Sequence, residues 1–463
     1  MKIRVDEKIH IEQPTPAIAK WCRDNLVLDN PDYYKKERMG KWIGDTPRTI
    51  ALYEKVGGEL WVPFGCLQDI WRLCVRGVSW SVEISPIRQE NYKSNINLYP
   101  YQDKAVTEAI RGKNGILVMP CGSGKTQCGL EIISRIGGRA LWLTHTQELL
   151  NQSKKRAESV LECPAGAFGT ITAGKVNIGT HITFATVQTM AKLDLSQYRD
   201  AFDVIIVDEA QHCAGSPTKV TQFYKVISRL SARYKIGLTA TPKRADGLER
   251  SMFALLGPKL HEVTRAEVAD TTCPIKVSVI PTGWYPDCEY VLMGDGTIDY
   301  SKVIDNMIHD DDRYGVVFAH IARLHESTIV LANRVEYLQR MCDDYNRGQW
   351  GNAVCLSGQG QSKKAKEERK EALRKLNDGE LDCVFCTYQL AAEGLDVPNL
   401  RYVVFATPEK DPTRIQQASG RVGRKAPDKD CGIVIDFVDA FGMYKSWKKK
   451  REAVYKKLGY DMI

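Results

Sequence analysis

From about residue 96 onward, short apolar runs rich in β-branched residues alternate with stretches of helical periodicity. Five runs come first: "GILVMP", "ALWLTH", "HITFATV", "FDVIIVDEAQH" and "YKIGLTATP". After an interval they resume as "STIVLAN", "NAVCLSG", "LDCVFCTY", "RYVVFATP" and "CGIVIDFVD". Runs that are apolar on both faces, each followed by a helical stretch, predict parallel strands covered by helices on both sides. Two such series predict two doubly wound α/β domains in tandem, residues 96–265 and 266–463. The change-over falls in the polar, proline-terminated stretch "EVTRAEVADTTCP" (262–274).

Residues 1–95 break this pattern and predict a small α+β domain. Turn signals such as "NPDYYKKERMG" and "EKVGGELWVP" punctuate it, and "GGELWVPFG" reads as a hairpin arm. Trp21, Trp42, Trp61, Trp71 and Trp80 are assigned to the core of this domain rather than to a base-stacking platform. At the other end, "FVDAFGMYKSWKKKREAVYKKLGY" is an amphipathic helix. Phe441, Tyr444, Trp447, Val454 and Leu458 lie near one face, predicted to dock on the second α/β domain, with lysines over the remainder.

Length agrees with this division, since 463 residues exceed one ordinary core and correspond to about three domains. The N-terminal "MKIRVDEKIHIEQ" has no apolar core of the kind a signal peptide needs. No run approaches the roughly 18 apolar residues of a membrane span. An intracellular, cytoplasmic protein without a membrane partner is expected, its fourteen cysteines reduced thiols. The CxxC pair Cys383 and Cys386 lies in a strand, where residues three apart face opposite sides, so core packing is expected rather than a metal. Net charge is +8, and the last 24 residues hold seven Lys/Arg against Glu452 and Asp461. Charge alone does not separate a polyanion-binding face from a solvated one.

The chemistry begins at "MPCGSGKT" (119–126), directly after the run "GILV". Pro120, Cys121, Gly122, Ser123 and Gly124 form a loop whose glycines let successive backbone N–H groups turn onto phosphate oxygens. Lys125 can reach the β- and γ-phosphates, and Thr126 can ligate Mg²⁺. Met119 stands where the usual first glycine would be. In "VIIVDEAQH", Asp208 can hold Mg²⁺ and Glu209 can take a proton from attacking water. Far along the chain, "QQASGRVGRK" sets Arg421 and Arg424 three apart, as arginine fingers for γ-phosphate charge. They lie in a different predicted domain from Lys125, so domain closure is expected to complete the site.

The ordered set "YPYQDKAV", "MPCGSGKT", "LTHTQELL", "ATVQTM", "DEAQH", "LTATP", "AAEGLDVP" and "QASGRVGR" resembles the superfamily-2 helicases and translocases over roughly residues 96–440. "PCGSGKT" and "LTATP" look closer to the DNA-acting XPB-like, RecG-like and restriction-motor branch than to DEAD-box RNA helicases. The terminal segments are similar to those of phage UvsW-type branch-migration helicases. The resemblance implies two tandem RecA-like domains behind a small α+β domain, with ATP and Mg²⁺ as cofactors. It implies that Gln102 recognises adenine, that Gly394 and Asp396 couple nucleotide to nucleic acid, and that His212 and Gln417 communicate across the cleft. Thr144, Thr186, Gln188 and Thr387 would grip a phosphate backbone, and Thr239 and Thr241 would link hydrolysis to that grip. Ala418 stands where many relatives carry a further arginine, leaving the finger role to Arg421 and Arg424.

The expected function is therefore an ATP-dependent DNA helicase acting on forked or branched DNA without sequence specificity, in replication, recombination or repair. Residues 1–95 are the expected duplex anchor, with the lysine-rich final helix as the other candidate, and replication or recombination proteins are candidate partners. The alternatives are a translocating motor module of a nuclease or restriction-type complex without intrinsic unwinding, and an RNA helicase.

Overall fold

The computed structural model describes residues 1–74, 78–120, 122–172, 174–214, 217–240, 248–293, 297–356, 363–392 and 397–463. The chain divides into two compact units, Met1–Thr264 and Arg265–Ile463. Among the described residues, no helix is long and apolar enough to cross a membrane.

The ten apolar runs all form strands. In the first unit an eight-stranded sheet has the order Lys175–Asn177, Phe168–Thr172, Ile182–Thr186, Ala140–Thr144, Val204–Val207, Tyr234–Thr239, Asn114–Val118, Lys259–Glu262. Every pairing is parallel except that of the outermost Lys175–Asn177 strand. The central strands are buried along their whole length because helices cover both faces, which is why they read as continuous apolar runs. Helix Lys125–Ile136 packs closely on this sheet at Gly129, where a Cβ would stand 2.7 Å from the Trp142 ring.

The first 95 residues build their own five-stranded sheet, including the hairpin Glu54–Val56 and Glu59–Pro63. Gly57 and Gly58 both take positive φ in its two-residue turn, the conformation a tight hairpin requires. The tryptophans are not its core. Trp42 is 87% exposed and Trp71 63%, while Trp21, Trp61 and Trp80 are half-buried at the rim. Short strands leave a thin interior, filled instead by Ile3, Val5, Ile9, Ile11 and Val62. That interior is continuous with Ala214, Val220, Leu248 and Ala254 of the neighbouring α/β layer. Gly65 permits the contact, since a Cβ there would meet the Ala254 carbonyl at 2.5 Å. Ion pairs Arg88–Asp203 (3.0 Å), Arg139–Glu90 (2.8 Å) and Arg199–Glu7 (2.8 Å) join the same two layers.

Lys235 is fully buried at the start of its strand, its Nζ donating to the carbonyls of Glu7 and Ile227 at 3.2 Å each. Burial pushes its pKa down to about 7, against the opposing pull of Glu7 and Asp6. The folded state thus favours the neutral amine. The cost of the charged form is full below about 7 and fades as pH rises toward the ordinary lysine value. Unfolding free energy should rise with pH through that window by at most about 1.4 kcal/mol per unit, and Lys235→Met should flatten the rise. Urea unfolding between neutral and mildly alkaline pH checks this; an unchanged slope in the variant would refute it.

In the second unit a seven-stranded, all-parallel sheet has the order Ala353–Leu356, Cys383–Thr387, Thr328–Ala332, Tyr402–Phe405, Gly432–Val438, Ile275–Pro281, Asp461–Met462. Cys383 and Cys386 enter the apolar clusters on opposite faces, as alternation requires. Helix Gly442–Lys457 docks through Tyr444, Trp447 and Tyr455, preceded by buried Phe441. Arg451 is not part of the outward basic face. It is buried with Nε 2.7 Å from Asp436 and Nη1 donating to the Glu409 carbonyl, so its charge is compensated inside the fold. Arg313 and Asp439 form a second buried pair, at 2.7 Å.

Candidate functional site

In open α/β sheets, ligands bind beyond the carboxyl ends of the strands. At that edge of the first unit, Asn114–Val118 runs into the glycine-rich loop. Met119 continues the strand, its N–H donating to the Thr239 carbonyl at 2.8 Å and its side chain fully buried. This position packs in the core and has no need of glycine. Gly122 and Gly124 take φ of 81° and 82°, the left-handed region, and Gly124 leads into helix Lys125–Ile136. A Cβ on Gly124 would collide with Nε2 of Gln102. Lys125 and Thr126 therefore start a helix whose N-terminal N–H groups and dipole suit phosphate. Cys121 lies outside the described residues.

Gln102 is buried, and both ends of its amide are engaged. Oε1 accepts from the Tyr99 N–H at 2.9 Å and Nε2 donates to the Ser123 carbonyl at 2.8 Å. Tyr101 donates to the same carbonyl at 3.2 Å, and Ser123 Oγ donates to the Pro120 carbonyl at 2.7 Å. In this arrangement Gln102 braces the loop from below.

The strand Val204–Val207 delivers Asp208 and Glu209 to the same edge. Lys125 Nζ stands 3.8 Å from Glu209 Oε1. Glu209 adopts φ of 50°, a left-handed conformation that costs a non-glycine residue about 1 kcal/mol. Two hydrogen bonds connect its carboxylate to the strand lying between it and the loop. Gln211 Nε2 donates to Glu209 Oε2 at 2.7 Å, and Thr239 Oγ1 donates to Gln211 Oε1 at 2.6 Å. Asp208 is buried, accepting from Ser153 Oγ at 3.4 Å and from the Glu209 N–H at 3.0 Å. Burial first, and then the adjacent Glu209 carboxylate, push the Asp208 carboxyl above its ordinary value, with Lys125 pulling the other way. The carboxylates of Asp208 and Glu209, with the Thr126 hydroxyl at the helix start, are hard oxygen donors that fit a small divalent cation next to a phosphate loop, while Lys125 is left to the phosphates.

The predicted backbone-gripping residues of this unit also meet. Thr144 and Thr186 end adjacent parallel strands and are partners in register. Thr144 Oγ1 donates to the Thr146 carbonyl at 3.0 Å, and Thr186 Oγ1 lies 2.9 Å from Thr189 Oγ1. Gln188 Nε2 donates to the carbonyl of His145 at 2.9 Å, and the His145 ring stacks on His212 with centroids 3.4 Å apart. Gln188, His145 and His212 thus form a packed route from the strand ends toward the turn that carries Glu209. Sequence reasoning assigned no role to His145, Gln211 or Ser153. The first two stand inside the quoted stretches "LTHTQELL" and "DEAQH", whereas Ser153 carries no signal.

In the second unit, helix Pro412–Gly420 is capped by Asp411 and leads directly into the turn Arg421–Gly423. Gln417, Arg421 and Arg424 are half-buried there, and Arg421 Nε is buried without a hydrogen-bond partner among the described residues. Ala418 is buried in the apolar cluster with Ile415 and Val422, a place that holds no long cation. Thr387 ends its strand and accepts from the Leu390 N–H at 3.4 Å. Thr241, Gly394 and Asp396 lie outside the described residues.

Two family profiles match the chain: "Type III restriction enzyme, res subunit" over residues 95–244 and "Helicase conserved C-terminal domain" over 316–426. Together they span more than half of it. Among similar sequences, L396 of Acanthamoeba polyphaga mimivirus, named by inference as an ATP-dependent RNA helicase, is 25% identical over 81% of this chain and 70% of its own. The DNA 3'-5' translocase XPB2 of Sulfurisphaera tokodaii is 25% identical over 78% of this chain and 86% of its own. Among solved structures, S. cerevisiae Dbp5 bound to RNA and ADP BeF3 aligns with a TM-score of 0.56 and 16% identity, covering 79% of this chain and 90% of that one. That likeness concerns the fold alone: two RecA-like parallel sheets.

Proposed function

The chain belongs to the superfamily-2 helicases, enzymes that use ATP, and from that premise we propose that its polynucleotide is DNA. In this reading it unwinds or branch-migrates forked and branched duplexes, without sequence preference, in replication, recombination or repair in the cytoplasm, a host's if the chain is phage-encoded. The carrying observation is the cluster at the carboxyl edge of the first sheet. There Glu209 and Asp208 face Lys125 and are tied through Gln211 to Thr239 on the loop side, while the adjacent strand and the His212–His145 stack lead on the other side to the paired strand ends Thr144 and Thr186. Hydroxyls and amides at strand ends suit backbone contacts, which position a strand without reading its sequence.

Mg²⁺ would be held by Thr126 and Asp208, and when bound would draw charge from the terminal phosphate. Lys125 binds the β- and γ-phosphate oxygens, and Glu209, held by Gln211, accepts the proton of the attacking water. DNA is favoured over RNA by "DEAQH" with "LTATP" and by relatives named as DNA translocases and helicases. Those same names favour 3′-to-5′ movement. The relative named for RNA supports the other reading.

One experiment separates them: strand displacement on forked DNA, blunt DNA duplex and forked RNA, each with ATP. Displacement of forked DNA alone is expected. ATP-driven translocation without displacement would identify a motor module, and preference for RNA would overturn the DNA reading.

Arg421→Ala and Arg424→Ala should each lower turnover by at least about 10²-fold with little loss of ATP binding, if their charge acts mainly in the transition state. Turnover and equilibrium nucleotide binding, measured side by side, check this; equal loss of both would assign them to ground-state binding.

A further inference from the structure

The helix Pro31–Arg38 buries none of its residues, and the loop after it presents Trp42 at 87% exposure. A large apolar ring so placed contributes little to the fold. The loop is nevertheless pinned. At its base Asn30, itself buried, donates through Nδ2 to the Pro47 carbonyl at 2.7 Å, and its N–H meets the Arg48 carbonyl at 3.0 Å. Across its middle, Lys36 Nζ donates to Thr46 Oγ1 at 2.7 Å. The indole lies over Gly44, whose φ is 54° and where a Cβ would stand 2.8 Å from the ring. The loop that carries the indole is thus pinned at its base and middle, one face of the ring lies over Gly44, and the rest is left open.

Its surroundings are basic. Residues 35–42 carry Lys35, Lys36, Arg38 and Lys41 against the single acid Glu37, and Lys35, Arg38 and Lys41 are exposed. An open aromatic face on a pinned loop, beside exposed cations, fits a nucleic-acid strand. The ring offers a stacking surface that any base can use, and the cations meet the phosphates.

We propose that Trp42 is a stacking platform for an unpaired base at a fork or junction, with Lys35, Arg38 and Lys41 holding the adjoining phosphates. The inference rests on the DNA-helicase reading and assigns the first 95 residues a contact with opened strands rather than with duplex alone. A base stacked on the indole is withheld from re-pairing, which is what a strand-separating element has to achieve.

The test is equilibrium binding of the full chain to a labelled forked DNA across a range of salt, with fork unwinding and nucleic-acid-independent ATP turnover measured alongside. Trp42→Ala should weaken fork binding about ten- to a hundredfold at every salt concentration with an unchanged salt slope, because stacking releases no counterions. Trp42→Phe should recover most of that loss. Gly44→Val keeps the indole but displaces it, and should behave like Trp42→Ala. Lys35→Ala with Lys41→Ala should instead lower the salt slope by about 0.7–0.9 per lysine. ATP turnover without DNA should be unchanged in all four variants.

Fork binding by Trp42→Ala equal to wild type would overturn the proposal and leave the loop to a protein partner. So would normal binding by Gly44→Val. If the wild-type chain neither binds nor unwinds forked DNA, the functional reading itself falls. If it does both and only the Trp42 variants are silent, this inference falls alone.

Discussion

Lys125→Ala is expected to cut ATP turnover by about 10²–10³-fold while leaving the protein folded. The side chain is 10% exposed and opens the helix behind the glycine loop, 3.8 Å from Glu209. It supplies the positive charge beside two carboxylates. Its loss removes the counter-charge for the terminal phosphates, and it also removes the influence that draws the Asp208 carboxyl downward. The fold survives because the helix is fixed by Gly129 against Trp142 and by its buried apolar face, neither of which needs the ammonium. Steady-state hydrolysis together with a thermal melt checks this. A folded variant with turnover within a few-fold of wild type would remove the phosphate-loop assignment.

Glu209→Gln should slow hydrolysis by about 10²–10⁴-fold and leave ATP and DNA binding nearly intact. The substitution is nearly isosteric, and the amide oxygen can still accept from Gln211, so the connection to Thr239 remains. What is lost is the capacity to take a proton from water. The strained backbone at this position, φ of 50°, is shaped by its neighbours and should persist. Single-turnover hydrolysis and a separate nucleotide-binding titration distinguish the outcomes. If affinity collapsed in step with rate, Glu209 would be a cation-holding group.

Sequence and structure agree where one physical demand dominates a stretch of chain. Nine interior strands and the edge strand Ala353–Leu356 were legible because burial in a covered parallel sheet forces apolar runs, and the phosphate loop because its backbone conformation requires glycine at Gly122 and Gly124. The hairpin at Gly57-Gly58 was legible for the same reason. Residues whose work depends on a distant partner were not. Arg451 counts as one more cation of a basic tail in a linear chain, yet Asp436 draws it inside, and no spacing in the sequence marks Lys235 for burial between two backbone carbonyls. The tryptophans of the first 95 residues read as core because of their size, while the actual interior is mainly aliphatic, with Trp21 and Trp80 packed against it only from the rim. Gln211 and Ser153 act through single hydrogen bonds to Glu209 and Asp208, a relation no spacing rule encodes.

The interior shared by the first strands and residues 214–254 also governs how the chain comes into being. Cys66 touches the carbonyl of Ala254, 188 residues downstream, through a face that Gly65 keeps flat. On a ribosome adding about 5–20 residues per second, that face waits roughly 10–40 s for its cover. Until then the early strands offer bare apolar surface and open edges to other nascent chains. Such long-range closure makes for slow maturation and places the chief hazard of this protein at birth, when its first segment has been made and its lid has not.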